Sequence, residues 1–293
     1  MRSLLLVTAA ALLIGATPGT KLLTPNDIVE KSPASAWNAI PADDLMVINL
    51  ANGGRVVVQL APAFAPVHVA NIKGLVRAGY WQGATVYRVQ DNYVAQWGQN
   101  DLKKPPSGIN PKPPSEYLRA LKGLKVMPLG SPDQYAPNAG FADGWPIAYS
   151  AKAGWANLTH CYGSVGVGRD LSPDTGSGGE LYAVIGQAPR QLDRNIALVG
   201  RVIDGIDRFS TLPRGTEALG FYKDKAQYVP IASVRLASDM PADQRPLYEV
   251  MDTSSATFLH YLKVRANRHD SFYDHPAGGV DVCNVQVPVR KKA

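Results

Sequence analysis

Cysteine is almost missing: of 293 residues only Cys161 and Cys283 carry a thiol. That excludes a disulfide-dense scaffold, and it leaves histidine to carry any zinc site. The five histidines, His68, His160, His260, His269 and His275, show no ligand spacing, so neither a metal nor another cofactor is implied. Charge is also sparse, at 18% of residues, and the one run of three like charges is Arg290-Lys291-Lys292 at the end of the chain, which reads as a solvated tail. A net charge of +6 scattered in this way lacks the basic face with interleaved aromatics that nucleic-acid binding needs. Gly166-Val167-Gly168 and Thr175 to Gly179 are glycine-rich, yet neither opens a helix with phosphate-loop spacing. Long apolar runs are absent too. The best, Leu4 to Ile14, falls well short of the roughly 20 residues that cross a bilayer.

That short run has a different use. Arg2, the apolar stretch and then Gly15, Ala16 and Thr17 match the three parts of a secretory signal peptide, expected over 1–20 with cleavage between Ala16 and Lys21. An uncleaved anchor or a buried helix is the alternative. Export implies a periplasmic or secreted protein with no stable membrane insertion after cleavage. In an oxidising compartment the even pair Cys161 and Cys283 is expected to bond, two separate buried thiols being the other reading.

The rest is a globular chain. Hydrophobic residues make up 45%, enough for a sizeable core, while 27 glycines and 23 prolines stay below the roughly 25–30% that marks low complexity. Eight runs have β-type pattern: 45–50, 55–60, 85–89, 93–97, 164–168, 180–185, 196–202 and 229–237. The first two flank Asn52-Gly53, a strong hairpin signal. Pro66 suits a first helical turn, and Val69, Ile72, Leu75 and Val76 follow at helical spacing. Thr24 to Ile40 reads as a short helix from Pro25, and Pro246 to Ala266 as a docked helix or helix pair, or an interface. Lys103 to Pro114 reads as a proline-dense loop insertion.

Within Gly79 to Gln99, Arg88 sits among Val86, Tyr87 and Val89, and Gln96 lies on the next β-type run. The sequence Val86-Tyr87-Arg88-Val89, then Tyr93-Val94-Ala95-Gln96-Trp97-Gly98, resembles the cyclophilin-type peptidyl-prolyl isomerases, whose strand Phe-His-Arg-Val leads to Phe-Met-x-Gln-Gly-Gly. Gly163 to Arg169 resembles Gly-x-Leu-Ser-Met-Ala-Arg. Thr175 to Ile185, Leu192-Asp193 and Val199 to Gly205 follow in the family's order. The resemblance covers Asp44 to Ser238.

It implies a mainly β fold with helices: a closed eight-stranded antiparallel β-barrel with capping helices. The barrel domain spans 44–239 with an insertion at 101–158, an N-terminal helical extension at 21–43 and a C-terminal extension at 240–293. The resemblance assigns Arg88 as the catalytic donor and makes Gln96, Tyr93, Val94, Glu180, Tyr182, Gln191 and Leu192 substrate-binding. Glu180 stands where the family has glutamine, and an ion pair with Arg88 would occupy the donors that catalysis needs. The implied partners are proline-containing polypeptides. Two functions remain open: an exported isomerase that assists folding of secreted proteins, and a cyclophilin-like module that binds proline segments with little turnover.

Overall fold

A computed structural model describes residues 23–100 and 103–292. The expected signal peptide lies outside them. Helix α1 (Pro25–Glu30) starts from a capping box: the Thr24 hydroxyl accepts the Asp27 N–H, and the Asp27 carboxylate accepts the Thr24 N–H. It ends far short of Ile40, because Pro33 cannot continue it. A 3-10 turn and strand β1 (Trp37–Ala39) follow instead.

Strands β2 (Leu45–Leu50) and β3 (Arg55–Leu60) form the expected hairpin. Of its turn pair only Gly53 takes positive φ, at 85°, while the Asn52 side chain accepts the Gly54 N–H. Helix α2 (Pro66–Arg77) buries Val69, Ile72, Leu75 and Val76 against the barrel. Its orphan N–H groups at Val67 and His68 donate to the Glu116 carboxylate at 2.8 and 2.9 Å, which also opposes the positive end of the helix dipole. Strands β4 (Thr85–Val89) and β5 (Val94–Gly98) come next.

The insertion is more than a loop. Strands β6 (Arg119–Ala120), β7 (Met127–Pro128), β8 (Asn138–Ala142), β9 (Trp145–Ser150) and β10 (Trp155–Leu158) form a sheet in the order β6-β10-β9-β8-β7. Its central hairpin turns on Asp143-Gly144, with φ of 51° and 82°, the two-residue loop whose twist matches that of the strands.

The chain then returns through β11 (Ser164–Val167), β12 (Leu181–Val184), β13 (Leu198–Asp204), the short helix α3 (Asp207–Ser210) and β14 (Val229–Leu236). These four strands complete a closed barrel in the order β11-β12-β5-β4-β14-β2-β3-β13, antiparallel throughout. All eight β-type runs are in it. Met46, Ile48, Val58, Trp97, Val165, Leu181 and Val199 fill the interior, and Trp97 stacks on Phe209 at 5.0 Å. With the interior packed, a ligand has to bind on the outer wall.

The C-terminal extension departs from the helical expectation. Strand β15 (Tyr248–Met251) precedes helix α4 (Ala256–Ala266), whose N-cap Ser255 accepts the Phe258 N–H. The intervening Thr253-Ser254-Ser255 favours a turn over a continuous helix. Strand β16 (Val289–Lys291) closes a sheet in the order β1-β15-β16, so the terminal basic run is paired strand rather than free tail. Arg290 and Lys292 bridge to Glu249, and Lys291 to Asp204. The disulfide Cys161–Cys283, with Cα atoms 4.9 Å apart, joins the segment before β11 to this extension across 122 residues.

Candidate active site

Side chains alternate along a strand, so Val94, Gln96 and Gly98 share one face of β5, and Glu180 and Tyr182 share the corresponding face at β12. Register then aligns them across strands: Gly166 pairs with Tyr182, Tyr182 with Gln96, Gln96 with Arg88, and Arg88 bridges to Phe221. This row runs along the outer wall. Alternation alone would send Tyr87 to the face opposite Arg88. A register shift between Val86 and Arg88 overrides it, and both residues line the same groove.

The groove holds about 650 Å³. Its lining includes Arg88, Tyr93, Val94, Gln96, Glu180 and Tyr182, six of the eight residues assigned from the sequence. Gln191 and Leu192 are outside it: they belong to a 3-10 turn over Arg190–Leu192, and Gln191 is exposed. Ile196 takes a place on the wall instead. The remaining wall comes from the 168–180 loop and from Lys103, Lys104, Pro105 and Pro111 of the insertion. That strap is pinned: the Tyr80 hydroxyl donates to the Lys103 carbonyl, Asn71 exchanges two hydrogen bonds with the Asn110 backbone, and Thr175 donates to the Pro113 carbonyl.

Arg88 is half-buried, its guanidinium 5.8 Å from the Tyr93 ring centre and 5.4 Å from that of Phe221. Nε donates to the Leu219 carbonyl at 2.7 Å, Nη1 to Gln96 Oε1 at 2.9 Å and Nη2 to Gln90 Oε1 at 2.6 Å. Of five N–H donors, two remain for a ligand. Burial lowers the guanidinium below its ordinary pKa, and the Tyr93, Tyr87 and Tyr182 hydroxyls act the other way. The Arg88–Glu180 ion pair that charge alone allows does not form; among the described residues Arg88 makes no ion pair.

Glu180 is occupied elsewhere. Gln96 Nε2 donates to the Tyr87 hydroxyl at 2.6 Å, and that hydroxyl donates to Glu180 Oε2 at 2.8 Å. The direction is set by the ends: a carboxylate only accepts and a guanidinium only donates, so Gln96 must turn its oxygen to Arg88 and its nitrogen to Tyr87. Gly98 makes room for this, since a Cβ there would fall on the Glu180 carboxylate. Tyr87, Gln90, Leu219 and Phe221 are site residues that the sequence reading missed. Tyr87 depends on the bulge, and Leu219 and Phe221 arrive from a loop more than a hundred residues downstream, so no local pattern announces them.

Comparison with known proteins agrees with this architecture. The family described as cyclophilin type peptidyl-prolyl cis-trans isomerase/CLD matches residues 45–236. A probable peptidyl-prolyl cis-trans isomerase of Brucella suis biovar 1 is 25% identical over 181 residues, covering 62% of this chain and 77% of the relative, and one from Brucella melitensis biotype 1 gives the same figures. The crystal structure of cyclophilin AquaCyp293 from Hirschia baltica superposes with a TM-score of 0.70 at 23% identity, covering 92% of this chain and 97% of that one. The family match starts at the first residue of β2, ends at the last of β14 and takes in all eight barrel strands. The chain therefore belongs to the cyclophilin-type peptidyl-prolyl cis-trans isomerases.

Proposed function

We propose that the Arg88 groove carries out the isomerisation and that the enzyme is exported, rotating X-Pro bonds in proteins that fold outside the cytoplasm. An X-Pro amide resists rotation by about 18–20 kcal/mol because resonance gives its C–N bond partial double-bond character. As the bond twists, the prolyl nitrogen becomes pyramidal and regains its lone pair. A fixed donor beside that nitrogen stabilises the twisted state more than the planar one, which is the condition for raising the rate. The two uncommitted N–H groups of Arg88 supply it. Gln96, its amide orientation fixed by Arg88 and Tyr87, grips substrate backbone. Val94, Tyr93 and Tyr182 hold the proline ring. The single observation that carries this reading is the cross-strand row Tyr182, Gln96, Arg88, Phe221 on the open wall of a closed barrel.

Export is supported by the Arg2 to Thr17 pattern and by the bonded cysteines. A protease-free prolyl isomerisation assay tests the catalytic assignment. Arg88→Ala is expected to lower kcat by about 100-fold or more, the usual cost of losing a donor that acts on developing charge. Equal rates for variant and parent would remove Arg88 from catalysis. No rate in either would favour the proline-binding module.

A further inference from the structure

Tyr182 poses a problem at the bottom of a groove meant for an apolar ring, because its phenol carries a hydroxyl that has to be satisfied. The structure meets that need behind the groove. The hydroxyl lies 3.0 Å from His160 Nε2, and the two rings are nearly parallel, at 16°. His160 Nδ1 lies 2.9 Å from Asp193 Oδ1, which also accepts the His160 backbone N–H at 2.9 Å. A carboxylate only accepts, so Nδ1 carries a proton; in the neutral imidazole Nε2 is then the acceptor, and the Tyr182 hydroxyl donates to it, away from the substrate. Asp193 in turn accepts from Arg190 Nε, and both Arg190 Nη atoms donate to the Asp133 carboxylate of the insertion, at 2.9 and 3.0 Å. His160 is fully buried and Arg190, Asp193 and Tyr182 are no more than 5% exposed. Gly166 leaves the space: a Cβ there would fall on the Tyr182 hydroxyl and ring.

We infer that His160 is a positioning residue of the isomerase groove: it takes the Tyr182 hydroxyl out of the way, so that the groove meets a fixed apolar ring, and it is held for this by Asp193, Arg190 and Asp133. This rests on the groove at Arg88 being the active site. Without His160 the hydroxyl recruits water from the groove, and that water competes with the proline ring for the same floor. The insertion, through Asp133, becomes part of the support of the site.

The test is NMR exchange on an Ala-Ala-Pro-Phe peptide, which yields kcat and KM separately, with thermal unfolding as the check on folding. His160→Leu is expected to raise KM by about fivefold, the value of one neutral hydrogen bond, with kcat within about twofold. Asp193 keeps Arg190 and the backbone N–H of residue 160 in that variant. In a Tyr182→Phe background, where no hydroxyl needs a partner, the same substitution is expected to leave KM nearly unmoved. Should His160→Leu not fold, Asp133→Asn at the far end of the network carries the test, with a smaller rise in KM that again vanishes in the Tyr182→Phe background. An unchanged KM, or an equal rise with and without the hydroxyl, overturns the inference. Arg88→Ala separates the two levels: if it abolishes turnover while His160→Leu leaves KM alone, the positioning role falls and the active site stands.

Discussion

A methyl group at Gly166 would land on the Tyr182 ring and hydroxyl, and moving that ring aside would break the hydroxyl's contact with His160. Gly166→Ala is therefore expected to cost about 1–3 kcal/mol of stability, as overpacked sites do, and to weaken peptide binding with it. Urea denaturation and KM read the two effects. A parent-like variant in both would mean that Tyr182 has slack. Residue types at this scale were partly legible: the resemblance named Arg88, Gln96 and Tyr182, three of the row, but not Phe221. The glycine at 166 and the tyrosine at 182 were visible separately, but that one makes room for the other is a fact of cross-strand register. Tyr87 was hidden by a one-residue bulge, and Gln191 and Leu192 were carried away by a 3-10 turn.

Among elements, α2 depends on a residue outside itself. Glu116 accepts two of its first N–H groups and sits 2.7 Å from His68 Nδ1, so Glu116→Ala removes a cap and leaves a buried imidazole nitrogen unpartnered. About 1–3 kcal/mol of destabilisation is expected. Thermal unfolding with no change in midpoint would show that water replaces the carboxylate at no cost. Elements with strong local signals were readable: the eight barrel runs, the Asn52-Gly53 hairpin and the helix after Pro66. Those without were not. Tyr248 to Met251 has apolar positions that fit a helix or a strand, and it became a strand because β1 and β16 flank it with unpaired backbone. Asp143-Gly144 was a turn signal passed over inside the insertion.

For the molecule as a whole, the bond between Cys161 and Cys283 fastens the C-terminal extension to the segment that leads into β11 of the barrel. A closed loop of that length removes up to about 4–5 kcal/mol of chain entropy from the unfolded state in the usual model. Cys283→Ser, or reductant, is expected to lower the unfolding midpoint and expose the chain around Val282, Val285 and Val287, which is buried in the bonded protein, to protease. Identical midpoints would show that the extension holds by packing alone. Acid should loosen a second junction. Hydrogen bonding from Lys73, ahead of Arg77 and Ser238, holds the Asp43 carboxyl at about 2, against 3.8 ordinarily. A carboxyl with a lowered folded value contributes stability above its unfolded value and loses it as pH falls toward the folded one, so the loss lies between about pH 4 and 2. Asp43 is nearly half exposed, and solvent screening keeps the effect below about 1 kcal/mol. Asp43→Asn should flatten the acid limb of a stability-against-pH curve; an unaltered slope would assign that limb to other carboxyls. By itself the sequence determined the eight strands, the first hairpin and the helix after Pro66, because alternating apolar residues and turn dipeptides are local statements about which backbone forms and which face is buried. That the strands close into a barrel was legible only through the resemblance to the cyclophilins. Tertiary structure alone decided the sheet within the insertion, the strands of the two extensions, and the chain of contacts from Arg88 through Gln96 and Tyr87 to Glu180. Those depend on which distant segments meet, at what register, and where one extra residue turns a side chain around, and none of these is encoded within a single run of residues.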